Sequence, residues 1–97
     1  MKISSKDKQK LRSLAHSINP SVIIGKEGAS KSTINSINNV LENKELIKVK
    51  FNSYKNEKDS IAKNIENSCN ATIVGQIGNI IILFKQSTDI DKRKFII

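Results

Sequence analysis

The stretch Val22-Ile23-Ile24-Gly25-Lys26-Glu27-Gly28 decides how this chain is organised. Its first three residues are apolar and β-branched, which favours a short buried strand. The two glycines that follow allow positive φ angles and a close approach of another backbone. Ser30 suits the N-cap of a helix, and apolar residues recur at helical spacing between Ile34 and Leu41. The stretch therefore predicts a strand, a glycine loop and a helix that ends at Asn43-Lys44.

The residues before this stretch predict an amphipathic helix. Ser4 and Asp7 have the spacing of a capping box, and Asn19-Pro20 is a sequence at which a helix ends. The apolar stripe of this helix consists of Leu11, Leu14, Ala15 and Ile18. A different face carries, at intervals of four residues, Lys8, Arg12 and His16. This basic face is either an ordinary solvated surface or part of a site for an anionic partner.

The segment Glu45–Phe51 predicts a strand with one buried and one solvated face. Apolar residues at positions 47, 49 and 51 alternate with Lys48 and Lys50, and side chains alternate between the two faces of a sheet. We therefore expect both lysines to point to solvent.

A third helix and a hairpin complete the regular structure. The helix is expected from about Asn56, which has the spacing of an N-terminal box with Asp59, to Cys69, which is interpreted as a core residue rather than a nucleophile. Strands are predicted over residues 71–77 and 80–84, joined by a type II′ turn at Gly78-Asn79. The continuous apolar run Ile80–Phe84 favours an interior position in the sheet. The predicted element order is α-β-α-β-α-β-β.

The composition favours a polyanionic partner. The chain has 17 Lys and Arg against 9 Asp and Glu, a formal net charge of +8. A basic domain of this kind usually binds nucleic acid, or less often an anionic membrane surface. The chain is also rich in Ile, Asn and Lys together, a bias of AT-rich coding sequences. The position of each lysine therefore carries more information than the total charge.

Several classes of protein are disfavoured. The single Cys and single His provide neither a disulfide nor a multi-cysteine metal site, and no known catalytic constellation is present. The longest apolar run has five residues, whereas a membrane helix needs about 20. The charged N-terminus has no signal-peptide pattern. We expect a cytoplasmic protein that is not an enzyme and has no metal, cofactor, small-molecule substrate or membrane partner.

The loop Gly25-Lys26-Glu27-Gly28 is the sharpest candidate site. It lies between a strand and a helix, where outward-pointing amides carry partial positive charge, and Lys26 adds a mobile cation. RNA-binding modules of the KH type clamp nucleotide backbones with a GXXG loop of this character. The alternative is that the two glycines form only a tight turn. Aromatic residues are few, so recognition through phosphates and helical shape is favoured over a stacking platform.

Four pieces of the chain together resemble one known family. They are residues 11–16, 22–28, 45–50 and 77–85, which read LRSLAH, VIIGKEG, ELIKVK and IGNIIILFK. In this order and spacing they resemble the CRM (CRS1–YhbY) RNA-binding domain, particularly its small bacterial stand-alone members, the YhbY-like proteins. The resemblance extends from about Ile3 to Lys85. It divides the chain into a domain over residues 1–85 and an unassigned tail over residues 86–97.

The resemblance implies a fold, a partner and a site. The implied fold is a two-layer α/β arrangement with a four-stranded mixed sheet, like the C-terminal domain of bacterial translation initiation factor three, with the last strand antiparallel and the crossover helices on one face. The implied partner is precursor RNA of the large ribosomal subunit, bound during assembly. We expect the protein to act as a monomer. The resemblance and the charge pattern together give the expected RNA-binding residues, which are Lys8, Arg12, His16, Gly25, Lys26, Glu27, Gly28, Lys31, Lys48 and Lys50. The alternative function is a ribosome-associated adaptor that docks through its basic face and recruits a protein.

Overall fold

A computed structural model of the chain describes residues 3–95. The helices are α1 (Ser5–Leu14), α2 (Lys31–Lys44) and α3 (Lys58–Cys69). The strands are β1 (Val22–Ile24), β2 (Leu46–Phe51), β3 (Thr72–Ile77) and β4 (Ile80–Phe84). Short 3₁₀ turns lie at Ala15–Ser17, Lys55–Glu57 and Ile90–Lys92. The order of helices and strands is the predicted one.

The four strands form one mixed sheet in the order β1-β2-β4-β3. Strand β1 is parallel to β2, and β4 is antiparallel to both of its neighbours. The interior position that the apolar run of β4 predicts is therefore confirmed, and Ile81 to Phe84 are all buried. The turn Gly78-Asn79 joins β3 to β4, and Gly78 has a φ of +57°, as the first residue of the predicted turn requires.

Helices α2 and α3 cover one face of the sheet. Ile37 and Leu41 of α2 and Ala62, Ile65 and Cys69 of α3 share a core with alternate residues of β2 and β4. The predicted α/β class, the four-stranded mixed sheet and the placement of the two crossover helices on one face are confirmed.

Helix α1 covers the opposite face, so the sheet lies between helices on both sides. Leu11 and Ala15 pack with Leu46, Ile82 and Phe84, which alternate with the residues of the first core. The two-layer description therefore applies to the sheet with α2 and α3, and α1 adds partial cover on the second face.

Cross-strand register arranges the side chains of this second face in rows. Lys48, Ile82 and Gly75 form a row beneath α1, because Lys48 and Gly75 both pair with Ile82. The next row towards the β3–β4 turn contains one residue of each strand: Ile23, Lys50, Ile80 and Ile77. We call these four residues the open row, since Ile23 is 56% exposed and Ile77 is 53% exposed.

Two helix ends and one residue of an apolar stripe differ from the sequence predictions. Helix α1 begins as predicted, with the Ser4 hydroxyl accepting the amide of Asp7 at 3.1 Å, but it ends at Leu14 and passes into a 3₁₀ turn before Asn19-Pro20 is reached. The box at Asn56 is wrong, because Asn56 lies in a 3₁₀ turn and α3 begins at Lys58 without a side-chain cap. Leu14, assigned to the apolar stripe, is 43% exposed.

The tail folds back onto the domain through Glu45. This residue is buried and has a φ of +64°. Its carboxylate accepts the backbone amides of Ser87, Lys94 and Phe95 at 2.5, 2.6 and 3.3 Å. The ring of Phe95 meets that of Phe84 edge to face, with 6.1 Å between centroids. The sequence analysis assigned no structure to this segment. Residues 96 and 97, at its apolar end, lie outside the described residues.

Candidate nucleic-acid interface

The loop Gly25–Gly28 is a tight turn with an exposed tip. The amide of Gly28 donates to the carbonyl of Gly25 at 3.0 Å, and Gly28 has a φ of +64°, a conformation that glycine adopts without strain. Lys26 and Glu27 are exposed, whereas Gly28 is buried. The loop is therefore a structural turn that also presents a cation and a carboxylate to solvent.

Helix α2 begins directly after the loop. The hydroxyl of Ser30 accepts the amide of Thr33 at 3.2 Å, which confirms the predicted N-cap. Lys31 is the first residue of the helix and is exposed, and the first turn contains no acidic residue. The start of a helix carries partial positive charge and favours anions. Lys26, Lys31 and the helix start thus add charge of the same sign.

Tyr54 holds the loop in place, and the sequence analysis assigned it no role. Its hydroxyl donates to the carbonyl of Lys26 at 2.6 Å. Its ring lies against Gly28, where a Cβ atom would come within 3.3 Å of Cε2. Tyr54 itself has a φ of +58°. No local signal could reveal this role, because the two contacts span nearly thirty residues; the only hint is a lone Tyr just after β2.

Three segments meet at one end of the sheet. The amide of Asn52 donates to the carbonyl of Ile24 at 3.0 Å, and the amide of Phe51 donates to the carbonyl of Asn79 at 2.8 Å. We call this region, formed by residues 25–28, 52–57 and 78–79, the loop end. It is bordered by Lys26, Lys31, Lys50, Lys55 and Lys58. The carboxylates in the same part of the chain are Glu27, Glu57 and Asp59.

The basic residues of α1 do not join the loop end. Lys8 lies beside Glu66 and Thr72, where β3 begins. The sheet extends three strand spacings from β3 to β1, about 14 Å, and the loop follows the opposite end of β1. The structure therefore brings together Gly25–Gly28, Lys31 and Lys50 and places Lys8 at a distant corner.

Arg12 is anchored across β3. Its Nη1 donates to the carbonyl of Val74 at 2.8 Å, and its stem lies over Gly75, where a Cβ atom would come within 2.5 Å of the Arg12 Cδ. A register shift between Ile73 and Gly75 places this carbonyl and this glycine side by side. His16 lies exposed in the 3₁₀ turn after α1, so the interval of four residues does not continue as an α-helical ladder.

The prediction that Lys48 and Lys50 both point to solvent is wrong for Lys48. Lys50 is exposed, but Lys48 is only 9% exposed, because the 3₁₀ turn after α1 packs against β2. Within residues 3–95, no buried side-chain nitrogen or oxygen lacks a hydrogen-bond partner. The Lys48 stem is therefore buried while its ammonium reaches the surface, as long cationic side chains commonly do.

The interpretation of Cys69 as a core residue is confirmed. The thiol is buried and its sulfur lies 3.9 Å from the carbonyl of Ile34. Burial raises the pKa of the Cys69 thiol, an effect that the Lys85 ammonium partly offsets. Among residues 3–95, no group of three or more His, Cys, Asp or Glu side chains could hold a metal ion. No helix in that range is long and apolar enough to cross a membrane.

Similarity to known proteins covers almost the whole chain. An RNA-binding protein of Haemophilus influenzae is 38% identical over 88 residues, which cover 90% of this chain and 89% of the relative. The Probable RNA-binding protein YqeI of Bacillus subtilis is 34% identical over 88 residues, which cover 90% of this chain and 92% of the relative. A Probable RNA-binding protein of Methanocaldococcus jannaschii is 36% identical over 87% of this chain and 64% of its own length.

A solved structure shares the fold. The solution structure of the hypothetical protein SAV1595 from Staphylococcus aureus aligns with a TM-score of 0.79 and 34% identity, covering 96% of this chain and 98% of the other. The sequence profile of the CRS1 / YhbY (CRM) domain matches residues 3–85, the range that the sequence resemblance predicts. The chain belongs to the CRS1 / YhbY (CRM) domain family.

Proposed function

We propose that this protein binds the backbone of structured RNA as a monomer and acts during assembly of the large ribosomal subunit. The observation that carries the proposal is the Gly25–Gly28 loop, which Tyr54 holds from below while Lys26 projects from its tip. A preformed loop of this kind needs little ordering when it binds, which favours affinity. Support for RNA as the ligand comes from relatives that are named RNA-binding proteins.

The mechanism is phosphate capture, with no covalent step. Amides at the start of α2 and in the loop, apart from that of Gly28, which already donates to the Gly25 carbonyl, donate hydrogen bonds to a phosphate, and neighbouring lysines neutralise adjacent phosphates. We assign the primary contacts to Gly25, Lys26, Gly28, Lys31 and Lys50, with Glu27 excluding misplaced phosphates by repulsion. Lys8 and His16 form a second contact region, and the Lys48 ammonium adds charge between the two. Arg12 contributes to RNA binding mainly through the positive charge that it places across β3, because its Nη1 already donates a hydrogen bond to the carbonyl of Val74.

Two experiments test the proposal in cells. Ultraviolet crosslinking of the tagged protein, followed by sequencing of the attached RNA, should recover large-subunit ribosomal RNA. Sedimentation of a lysate should place the protein with precursors of the large subunit rather than with mature ribosomes. Equal distribution over small subunits, large subunits and free fractions would contradict the assembly role. If the protein stays on ribosomes after the positive charge of Lys26 in the loop is removed, the adaptor function is favoured instead.

A further inference from the structure

The open row is an uncovered strip of the sheet that lies beside the candidate loop. Ile23 of β1 and Ile77 of β3 are more than half exposed, and between them lie Lys50 and Ile80. Neighbouring strands are about 4.8 Å apart, so the row is about 14 Å long. Packing within this chain does not explain the exposure of Ile23 and Ile77, which lie in one row on the two edge strands, because neither residue belongs to the core on either face of the sheet.

The cations around this strip determine what can occupy it. Lys50 lies within the open row, and Lys48 lies in the adjacent row with its ammonium at the surface. Arg12 lies over Gly75, two residues before Ile77 on the same strand. No strand residue in these two rows carries a carboxylate. An occupant with an apolar face and negative charge is complementary to this strip, and a nucleotide has both.

The strip is also continuous with the loop. Ile23 precedes Gly25 by two residues on β1, and Lys50 is paired with Ile23. An RNA strand whose phosphate is held at Gly25–Gly28 can therefore continue across the sheet towards Ile80 and Ile77. Bases of paired RNA are stacked inside a helix and cannot reach such a surface, whereas unpaired bases can turn outward.

We infer that the open row is a platform for unpaired RNA bases, with Ile23, Ile80 and Ile77 in contact with base faces and Lys50 with phosphate. This inference rests on the proposed function and narrows its substrate to RNA with unpaired nucleotides next to the captured backbone. The contacts are aliphatic, so they do not select a base by stacking strength as an aromatic platform does.

Paired and unpaired RNA probes separate this inference from the proposed function. The variant Ile23→Thr/Ile77→Thr keeps β-branched residues in both strands and removes apolar surface from the row. The matched control is Ile90→Thr, which changes an isoleucine that is 74% exposed in the tail. The probes are a short labelled oligouridine and a labelled, blunt-ended RNA duplex that is fully paired, both measured by fluorescence anisotropy at one salt concentration.

The double variant should bind oligouridine about tenfold more weakly, while its affinity for the paired duplex stays within about twofold of that of the unaltered protein. Ile90→Thr should change neither affinity. The variant Ile77→Phe tests the opposite direction and should strengthen oligouridine binding several-fold, because bases stack on aromatic rings.

Each other outcome has a definite meaning. If the double variant binds both probes as the unaltered protein does, the row is not a base platform, and a protein contact becomes its explanation. If the unaltered protein binds the duplex but not oligouridine, the platform is overturned and phosphate capture stands. If it binds neither probe, the platform and sequence-independent capture of RNA backbone are both overturned. If the double variant binds neither probe because it no longer folds, Ile77→Phe provides the test. Failure of Ile77→Phe to strengthen oligouridine binding would also overturn the platform.

Discussion

The Tyr54 hydroxyl donates a 2.6 Å hydrogen bond to the carbonyl of Lys26, and the same ring fills the space beneath Gly28. Two residues at positive φ, Tyr54 and Gly28, are thereby packed against each other. The shape of the candidate loop is thus set by a residue from the segment after β2, not by the loop alone. A change at Tyr54 should alter RNA binding without contact between Tyr54 and the RNA.

The variant Tyr54→Phe removes the hydroxyl and leaves the ring in place. We expect stability to fall by only about 0.5–1.5 kcal/mol, the usual net effect of one hydrogen bond. Hydrogen exchange at the amides of Lys26 to Gly28 should become faster, and RNA affinity should fall by at most about tenfold. Unchanged exchange in the loop together with unchanged affinity would show that the hydrogen bond does not organise the site.

Reversal of charge at the loop tip tests phosphate capture. Lys26→Glu changes the local charge by two units at an exposed position, and such changes usually alter stability by less than about 0.5 kcal/mol. RNA affinity should fall at least about tenfold, with an unchanged circular dichroism spectrum and melting temperature.

The control for this variant is Lys63→Glu, which makes the same change in net charge on α3. Lys63 forms only an exposed ion pair with Glu66 at 3.3 Å, a kind of contact worth about 0–1 kcal/mol. Its loss should weaken RNA binding much less than Lys26→Glu does. Equal losses for the two variants would mean that net charge, not the loop, governs binding.

The salt dependence of RNA binding counts the captured phosphates. If about four to six phosphates are contacted, the slope of log K against log salt concentration should be about −3 to −5. The Lys26→Glu variant should have a slope smaller in magnitude by about one. Titrations at several potassium chloride concentrations measure both slopes, and a slope near zero with retained affinity would make the lysines merely a solvated surface.

Gly75 and Arg12 are predicted to be energetically coupled. Gly75→Ala places a Cβ atom 2.5 Å from the Arg12 Cδ, so the Arg12 side chain must move and its bond to Val74 is disturbed. We expect the variant to lose about 1 kcal/mol or more of unfolding free energy. In an Arg12→Ala background the same change should be neutral, since the clash is gone. Urea denaturation of both singles and the double variant gives the coupling energy, and additive effects would contradict the contact.

Glu45 is predicted to fix the tail to the domain. Glu45→Ala removes a buried carboxylate that accepts three backbone amides, and hydrogen bonds to charged groups contribute about 1.5–3 kcal/mol each. The free energy of unfolding should therefore fall by about 3 kcal/mol or more, and the amides of Ser87 and Lys94 should exchange quickly. Glu42→Ala, an exposed change near the same helix end, is the control. Equal stability of the two variants would contradict the role assigned to Glu45.

The sequence predicted most of the fold because the fold follows from local periodicity. Ser30 and Ser4 mark helix starts by short-range hydrogen bonds, and the apolar run of β4 requires cover on both faces. The features that escaped prediction depend on contacts between distant segments. Lys48 lies on the sheet face that the alternation of apolar and polar residues predicts, but the residues after α1 cover it. The alternation does not show which segment packs on that face.

Only the part of the candidate site whose residues are close in sequence was predicted. Gly25–Gly28 and Lys31 are close in sequence and lie together in the structure, but the contact from Tyr54 to Lys26 is not encoded by any spacing. The α1 residues were grouped with the loop by charge alone, and the strand order places Lys8 at the far corner of the sheet. The open row is visible only through register, since its four residues belong to four different strands.

The position of β4 has a consequence for how the chain folds during its synthesis. β4 is the last of the four strands to leave a translating ribosome, yet it bonds to both β2 and β3. Until Phe84 has emerged, one edge of β2 has no partner, and unpaired strand edges are sites of aggregation. A nascent chain that ends before Ile80 can form α2 and α3 but cannot close the sheet on which they pack. Cooperative folding of the sheet must therefore wait until Phe84 has emerged together with the strands that precede it.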